Sequence, residues 1–225
     1  MRKATSRIPI VTVSSSDPVG DGWAASLAHP GGNVTGLAVT FIELGPKRLE
    51  LAKQALPGLV RIAVLFAPAE LRRGGADDIA SLTAGARSLG LQLQAFGLRD
   101  AADLEPAIRR ARDGGAQALL TIDTTFVLNQ RARIGALAAR EKLPVIGEFA
   151  IFGTDGVILA YGADIDDLLR RAASHVDRIL KGARPGDLPV ELPTKIDLIV
   201  NLKMARELGI TVPRPLLLRA ERVVE

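Results

Sequence analysis

Runs of apolar residues alternate with amphipathic stretches along most of the chain. Ile8 to Val13 is β-branched and ends in the polar turn Ser14-Ser15-Ser16-Asp17-Pro18, the way a strand ends. A short helix is expected over Gly22 to Ala28, broken by Pro30-Gly31-Gly32-Asn33, and Val34 to Thr40 reads as a second strand. A regular series follows: helix Glu43 to Ala55, strand Arg61 to Phe66, helix Ala76 to Leu89, strand Leu91 to Phe96, helix Asp103 to Arg112, strand Ala116 to Ile122, helix Phe126 to Arg140 and strand Pro144 to Gly147. Near-continuous apolar strands separated by helices of this length predict right-handed βαβ crossovers and a parallel sheet buried on both faces.

Beyond this series, Gly156 to Tyr161 is another strand and Asp164 opens a strongly amphipathic helix. Its Ile165, Leu168, Leu169, Ala172, Val176 and Ile179 recur at helical spacing, and Gly182 stops it. Lys195 to Asn201 reads as a strand and Leu202 to Leu208 as a short helix closed by Gly209. No internal repeat or low-complexity tract is present. The predicted fold class is α/β, with one complete Rossmann-like lobe and an incomplete second one. Residues 1–42 form the remainder of lobe one, 43–155 form lobe two, and 156–225 form a hinge crossing with C-terminal elements that return to lobe one.

Composition narrows the function. Of 225 residues, 48% are hydrophobic and only 4% aromatic, so the core must be aliphatic. The net charge of +4 is spread among nearly equal numbers of bases and acids. The densest clusters, Arg109-Arg110 and Arg170-Arg171, lie on amphipathic helices without interleaved aromatics, which argues against a nucleic-acid partner. The chain has no cysteine, which excludes disulfides and thiolate chemistry. No apolar run reaches membrane-spanning length, and the basic Met1 to Arg7 is not followed by the apolar core of a signal peptide.

Enzymatic motifs fail on context. Gly20-Asp21-Gly22-Trp23-Ala24-Ala25 matches G-x-G-x-x-A, but six residues separate it from the end of its strand and Trp23 would crowd a phosphate. Ser14 to Asp17 with His29 lacks the G-x-S-x-G elbow of a hydrolase. No metal-ligand spacing and no Walker loop occur, so no cofactor or metal is expected. Asn33-Val34-Thr35 is a formal glycosylation sequon that reads as a turn into a strand.

The positive signal lies at the carboxyl ends of the strands, where open parallel sheets bind ligands. Those ends carry Ser16 and Asp17, then Pro68 within Ala67-Pro68-Ala69-Glu70, then Asp123 and Thr124, then Glu148 and Phe149, and then Tyr161. Hydroxyls, carboxylates and two aromatics can hold an ammonium group and cover an apolar body. For Asp17, Asp123 and Glu148, the competing reading is a helix cap.

Several strings carry a resemblance. Ile8-Pro9-Ile10-Val11, Ser16-Asp17-Pro18-Val19 and His29-Pro30-Gly31-Gly32-Asn33-Val34-Thr35-Gly36 are similar to segments of the ABC-transporter substrate-binding proteins of the tryptophan/tyrosine-binding type, which have the periplasmic binding protein type I fold. Lys47-Arg48-Leu49-Glu50-Leu51, Arg61 to Leu65, Tyr161-Gly162, Ile179 to Ala183, Asp187 to Val190 and Asn201 to Ala205 match in order. The resemblance implies capture of a small solute, such as an aromatic or branched-chain amino acid, by hinge closure of two lobes, followed by docking on ABC permease subunits. It implies no catalysis and a periplasmic location, whereas the N-terminus taken as native implies a cytoplasmic one. Two departures stand out. The chain begins at a strand that lies late in lobe one of the family, and Ala67 to Glu70 stands where relatives carry an Asn-Pro-rich loop. The rival readings are the ligand-sensing effector domain of a regulator and an α/β racemase-type enzyme.

Overall fold

The computed structural model describes residues 5–15, 17–39, 41–71, 75–122, 124–149 and 156–225. In chain order the elements are β1 (Ile10–Ser15), β2 (Val34–Ala38), α1 (Phe41–Ala55), β3 (Arg61–Phe66), α2 (Ala76–Ser88), β4 (Gln92–Gly97), α3 (Leu104–Asp113), β5 (Ala118–Thr121), α4 (Thr125–Asn129) and α5 (Arg131–Arg140). They continue with β6 (Val145–Gly147), β7 (Leu159–Ala163), α6 (Ile165–Leu180), β8 (Ile196–Asn201), α7 (Leu202–Glu207), α8 (Arg214–Leu217) and β9 (Arg222–Val224). The chain divides into two compact units. The smaller comprises Met1–Phe41 and Ala163–Ile196, and the larger comprises Ile42–Gly162 and Asp197–Glu225.

The larger unit is built on a seven-stranded sheet in the order β4-β3-β5-β6-β7-β8-β9. Pairing is parallel from β4 through β3, β5 and β6 to β7, and again between β8 and β9. Aliphatic side chains fill the core: Leu49, Leu51, Ile62, Val64, Leu120, Ile146, Ile158, Leu159, Leu198 and Val200 are among those buried. Burial on both faces explains why β3, β5 and β6 read as unbroken apolar runs rather than alternating ones.

The smaller unit pairs β1 and β2 in parallel, with Ile10 opposite Val34. On the other side of β2, Ala38 N–H donates to Glu191 O at 2.9 Å and Glu191 N–H donates to Gly36 O at 3.0 Å. Helix α6 packs against both strands. The Pro30 to Gly36 run has a structural job here. Asn33 Nδ2 donates to Ile8 O at 2.7 Å, and Asn33 O accepts from Ile10 N–H at 2.8 Å. Gly36 passes so close to β1 that a Cβ there would stand 2.0 Å from Thr12 O.

The structure departs from the sequence reading in four places. The helix expected over Gly22 to Ala28 does not form. Asp17 Oδ1 accepts from Gly20 N–H at 2.8 Å, Trp23 and Ala24 both donate to Pro18 O, and Gly22 sits at φ 70°, so the segment closes as successive turns. The helix expected over Phe126 to Arg140 is two helices meeting at Gln130, whose φ of −96° and ψ of 4° leave the helical range. Elements α8 and β9 were not anticipated. Finally, the stretch 156–225 is shared: 163–196 cluster with residues 1–41, whereas 156–162 and 197–225 cluster with the larger unit, because β8 and β9 extend its sheet.

Two features allow direct tests. Gly162 at the end of β7 approaches β6 so closely that a Cβ would lie 1.6 Å from Glu148 O, a backbone atom that cannot step aside. Gly162→Ala is expected to destabilise by more than about 4 kcal/mol and to lower Tm by about 10 °C or more. Gly58→Ala meets nothing within 4 Å and serves as the neutral control in thermal unfolding.

Asp164 caps α6, with Oδ1 accepting from Asp167 N–H at 3.2 Å and Oδ2 accepting from Lys195 Nζ at 2.6 Å. The hydrogen bond from the Lys195 ammonium, aided by the N–H groups of Asp167 and Asp166 and opposed by burial, holds the carboxyl below its usual range. The native value lies below the unfolded one, so this stabilisation is present above the ordinary carboxylate range and is lost as pH falls through the native value. Asp164→Ala should cost about 1 kcal/mol at neutral pH. Asp164→Asn keeps the cap, and its Tm deficit relative to wild type should shrink as pH falls below about 4.

Candidate functional site

Parallel pairing brings the carboxyl ends of β3, β5, β6 and β7 to one edge of the larger unit. At the end of β3, Pro68 opens a single 3₁₀ turn, Pro68–Glu70, with its missing N–H at a position that needs none. Gly97 ends the neighbouring β4 against it, where a Cβ would meet Pro68 Cγ at 2.9 Å. The Glu70 carboxylate then accepts from Phe126 N–H at 3.0 Å, tying this turn to the start of α4. Thr124, buried at the end of β5, caps α4 by accepting from Val127 N–H at 3.4 Å.

At the end of β6 the chemistry is ionic. Glu148 is 3% exposed and Phe149 1%. Arg48, projecting from α1, is also only 1% exposed. Its Nη1 donates to Glu148 Oε1 at 2.6 Å and its Nε donates to Tyr161 O at 2.7 Å, so one guanidinium grips the ends of two adjacent strands. Tyr161 is partly buried and packs against the aliphatic core.

The structure therefore gathers Pro68, Thr124, Glu148, Phe149 and Tyr161 on one edge of the larger unit. Glu148 is not a helix cap but half of a buried ion pair, and Thr124 is a cap. Asp17 lies in the smaller unit, where its carboxylate closes the turn to Gly20. Ser16 and Asp123 lie outside the described residues. Sequence reasoning passed over Arg48, Glu70 and Gly162 as functional positions. Arg48 had a readable signal: together with Gly45, Ala52 and Ala55 it occupies the buried stripe of α1, where a cation needs a buried partner.

A surface concavity of about 290 Å³ lies at the opposite, amino edge of the same sheet, lined by Ala55 to Leu59, Gln117, Ile210 and Thr211. It includes none of the candidate residues. Among the described residues, no group of three or more His, Asp or Glu side chains could hold a metal ion, and no helix is long and apolar enough to cross a membrane. His29 sits in an exposed loop, with its N–H on Ser26 Oγ at 3.0 Å. His175 is buried on α6, with Nε2 3.0 Å from Pro189 O.

Comparison with known proteins agrees with this architecture. The model of the family described as ABC transporter substrate binding protein matches residues 1–224. The "Tyrosine-binding protein" of Clostridioides difficile (strain R20291) is 26% identical over 198 residues, covering 88% of this chain, which spans only 56% of that protein's length. Among solved structures, the ABC domain in complex with L-Trp from Streptococcus pneumonia superposes with a TM-score of 0.88 over 99% of this chain and 74% of that one, at 23% identity, a likeness of fold. A conserved domain protein from Vibrio cholerae O1 biovar eltor gives a TM-score of 0.87 and 28% identity, over 99% of this chain and 73% of that one. The α/β fold is thus that of the periplasmic-type binding proteins, and the chain belongs to the ABC transporter substrate binding protein family.

Proposed function

We propose that this chain serves as the solute-binding component of an ABC importer and that its solute is an amino acid with an aromatic side chain. The observation that carries the reading is the family match along residues 1–224. The names of two similar proteins, one tyrosine-binding and one solved with L-Trp, support the choice of solute. The carboxyl edge of the larger sheet is the surface such a ligand would use, because parallel strands end there in loops free to carry specificity. In this reading Asp17 and Asp123 supply negative charge for the ammonium group. Ser16 and Thr124 offer hydroxyls, Pro68 and Tyr161 offer apolar surface backed by the buried Phe149, and two lobes close by a hinge before the solute passes to permease subunits. In this reading the chain works on the outer side of the cytoplasmic membrane, which membership of a substrate-binding family supports.

The reading is one of binding rather than catalysis. The chain has no cysteine, and its two histidines both belong to the smaller unit, one in a surface loop and one on α6.

Thermal unfolding with L-tryptophan, L-tyrosine, L-leucine and L-isoleucine tests the proposal. A ligand present at about a hundred times its Kd stabilises by about 2.7 kcal/mol, or about 5–10 °C in a chain of this size. That shift is expected from L-tryptophan or L-tyrosine, and no shift from any amino acid, with circular dichroism confirming a folded chain, would overturn it. Asp17→Asn keeps the turn, because an amide oxygen also accepts from Gly20 N–H, but removes the charge. By calorimetry it should raise the amino-acid Kd by about tenfold or more, the value of a charge-assisted hydrogen bond.

A further inference from the structure

The ion pair at the end of β6 is an unusual thing to find in an aliphatic core. Arg48 and Glu148 are both almost completely buried, and taking two charges out of water offsets most of what their attraction returns. Aliphatic side chains of the same volume would hold α1 on the sheet as well or better. What such side chains could not do is fix direction. A guanidinium is a rigid planar fork, and Arg48 uses it on two different segments at once: Nη1 on the Glu148 carboxylate at 2.6 Å and Nε on the Tyr161 carbonyl at 2.7 Å. Those segments are already pressed together, since Gly162 has no room for a Cβ beside Glu148 O. The second of them, Tyr161–Gly162, is also where the chain leaves the larger unit, whose first segment ends at Gly162.

The geometry points to Arg48 as a positioning residue for solute binding, resting on the amino-acid-binding reading above. It holds the Glu148–Phe149 turn and the Tyr161–Gly162 strand end in one arrangement before the solute arrives, so the edge is preorganised rather than ordered on binding. Glu148 accordingly works through Arg48 instead of meeting the solute, and the charge that answers the ammonium group comes from an aspartate.

Four proteins decide this: wild type, Arg48→Met, Arg48→Lys and the double variant Arg48→Met/Glu148→Leu. Arg48→Met leaves a buried carboxylate without its cation and should unfold at a much lower temperature. The double variant removes both charges and should recover a Tm close to wild type. It is nevertheless expected to bind L-tryptophan or L-tyrosine about tenfold more weakly or worse, chiefly through faster dissociation, and to lose amide-exchange protection at 148–149 and 161–162 while the rest of the sheet keeps it. Arg48→Lys keeps the charge without the fork and should fall between wild type and the double variant in affinity. A double variant that folds and binds with wild-type Kd would show the pair to be purely structural. So would unfolding of both the double variant and Arg48→Lys. A folded wild type that binds no amino acid would instead remove the functional reading itself, which distinguishes the two failures.

Discussion

Parallel strand pairing is the constraint from which the rest follows. When β4, β3, β5, β6 and β7 all run the same way, every connection must cross back over a face of the sheet, and helices cover both faces. The inner strands β3, β5, β6 and β7 then carry little solvated face and read as largely apolar, whereas β4 at the sheet's edge keeps exposed positions such as Gln92 and Ala95. All variation in chemistry is pushed to the loops at the two edges. At the amino edge those loops form an open concavity around Leu56, Pro57 and Gln117. At the carboxyl edge they carry the hydroxyls, carboxylates and rings that could recognise a solute.

The carboxyl edge is held by polar contacts rather than by packing alone. Glu70 reaches the N–H of Phe126, Thr124 caps α4, and Arg48 spans Glu148 and Tyr161. Each contact joins the end of one strand to a neighbouring element. The smaller unit follows the same logic with fewer parts. Asn33 ties the turn before β2 to the chain entering β1, and Thr35 Oγ1 donates to Leu188 O at 2.8 Å across the unit.

Much of the fold was readable from the sequence because the strongest signals coincide with the physics that builds it. Arg61 to Phe66 is an apolar run bounded by Pro-Gly and Pro, and it is β3. The Asp164 cap, the apolar stripe and Gly182 bound α6 to within a residue or two. Weak signals misled. Gly22 to Ala28 has helix-forming alanines, but the Val19 and Pro18 carbonyls capture the N–H groups of Gly22, Trp23 and Ala24 first. Arg222 to Val224 is too short to announce a strand and becomes one only because β8 offers an edge. Glu148 was legible as a residue at a strand end but not as the partner of Arg48, a hundred positions earlier, since pairing at that separation leaves no local pattern.

Locating the solute on the protein tests the central claim most directly. An amide NMR titration with L-tryptophan and L-tyrosine reads both edges of the sheet at once. The account predicts saturable shifts concentrated at Ala69, Glu70, Thr124, Glu148, Phe149 and Tyr161, with the amino edge around Gly58, Gln117 and Thr211 unmoved. Shifts confined to the amino edge, or none at saturating amino acid in a folded chain, would contradict it.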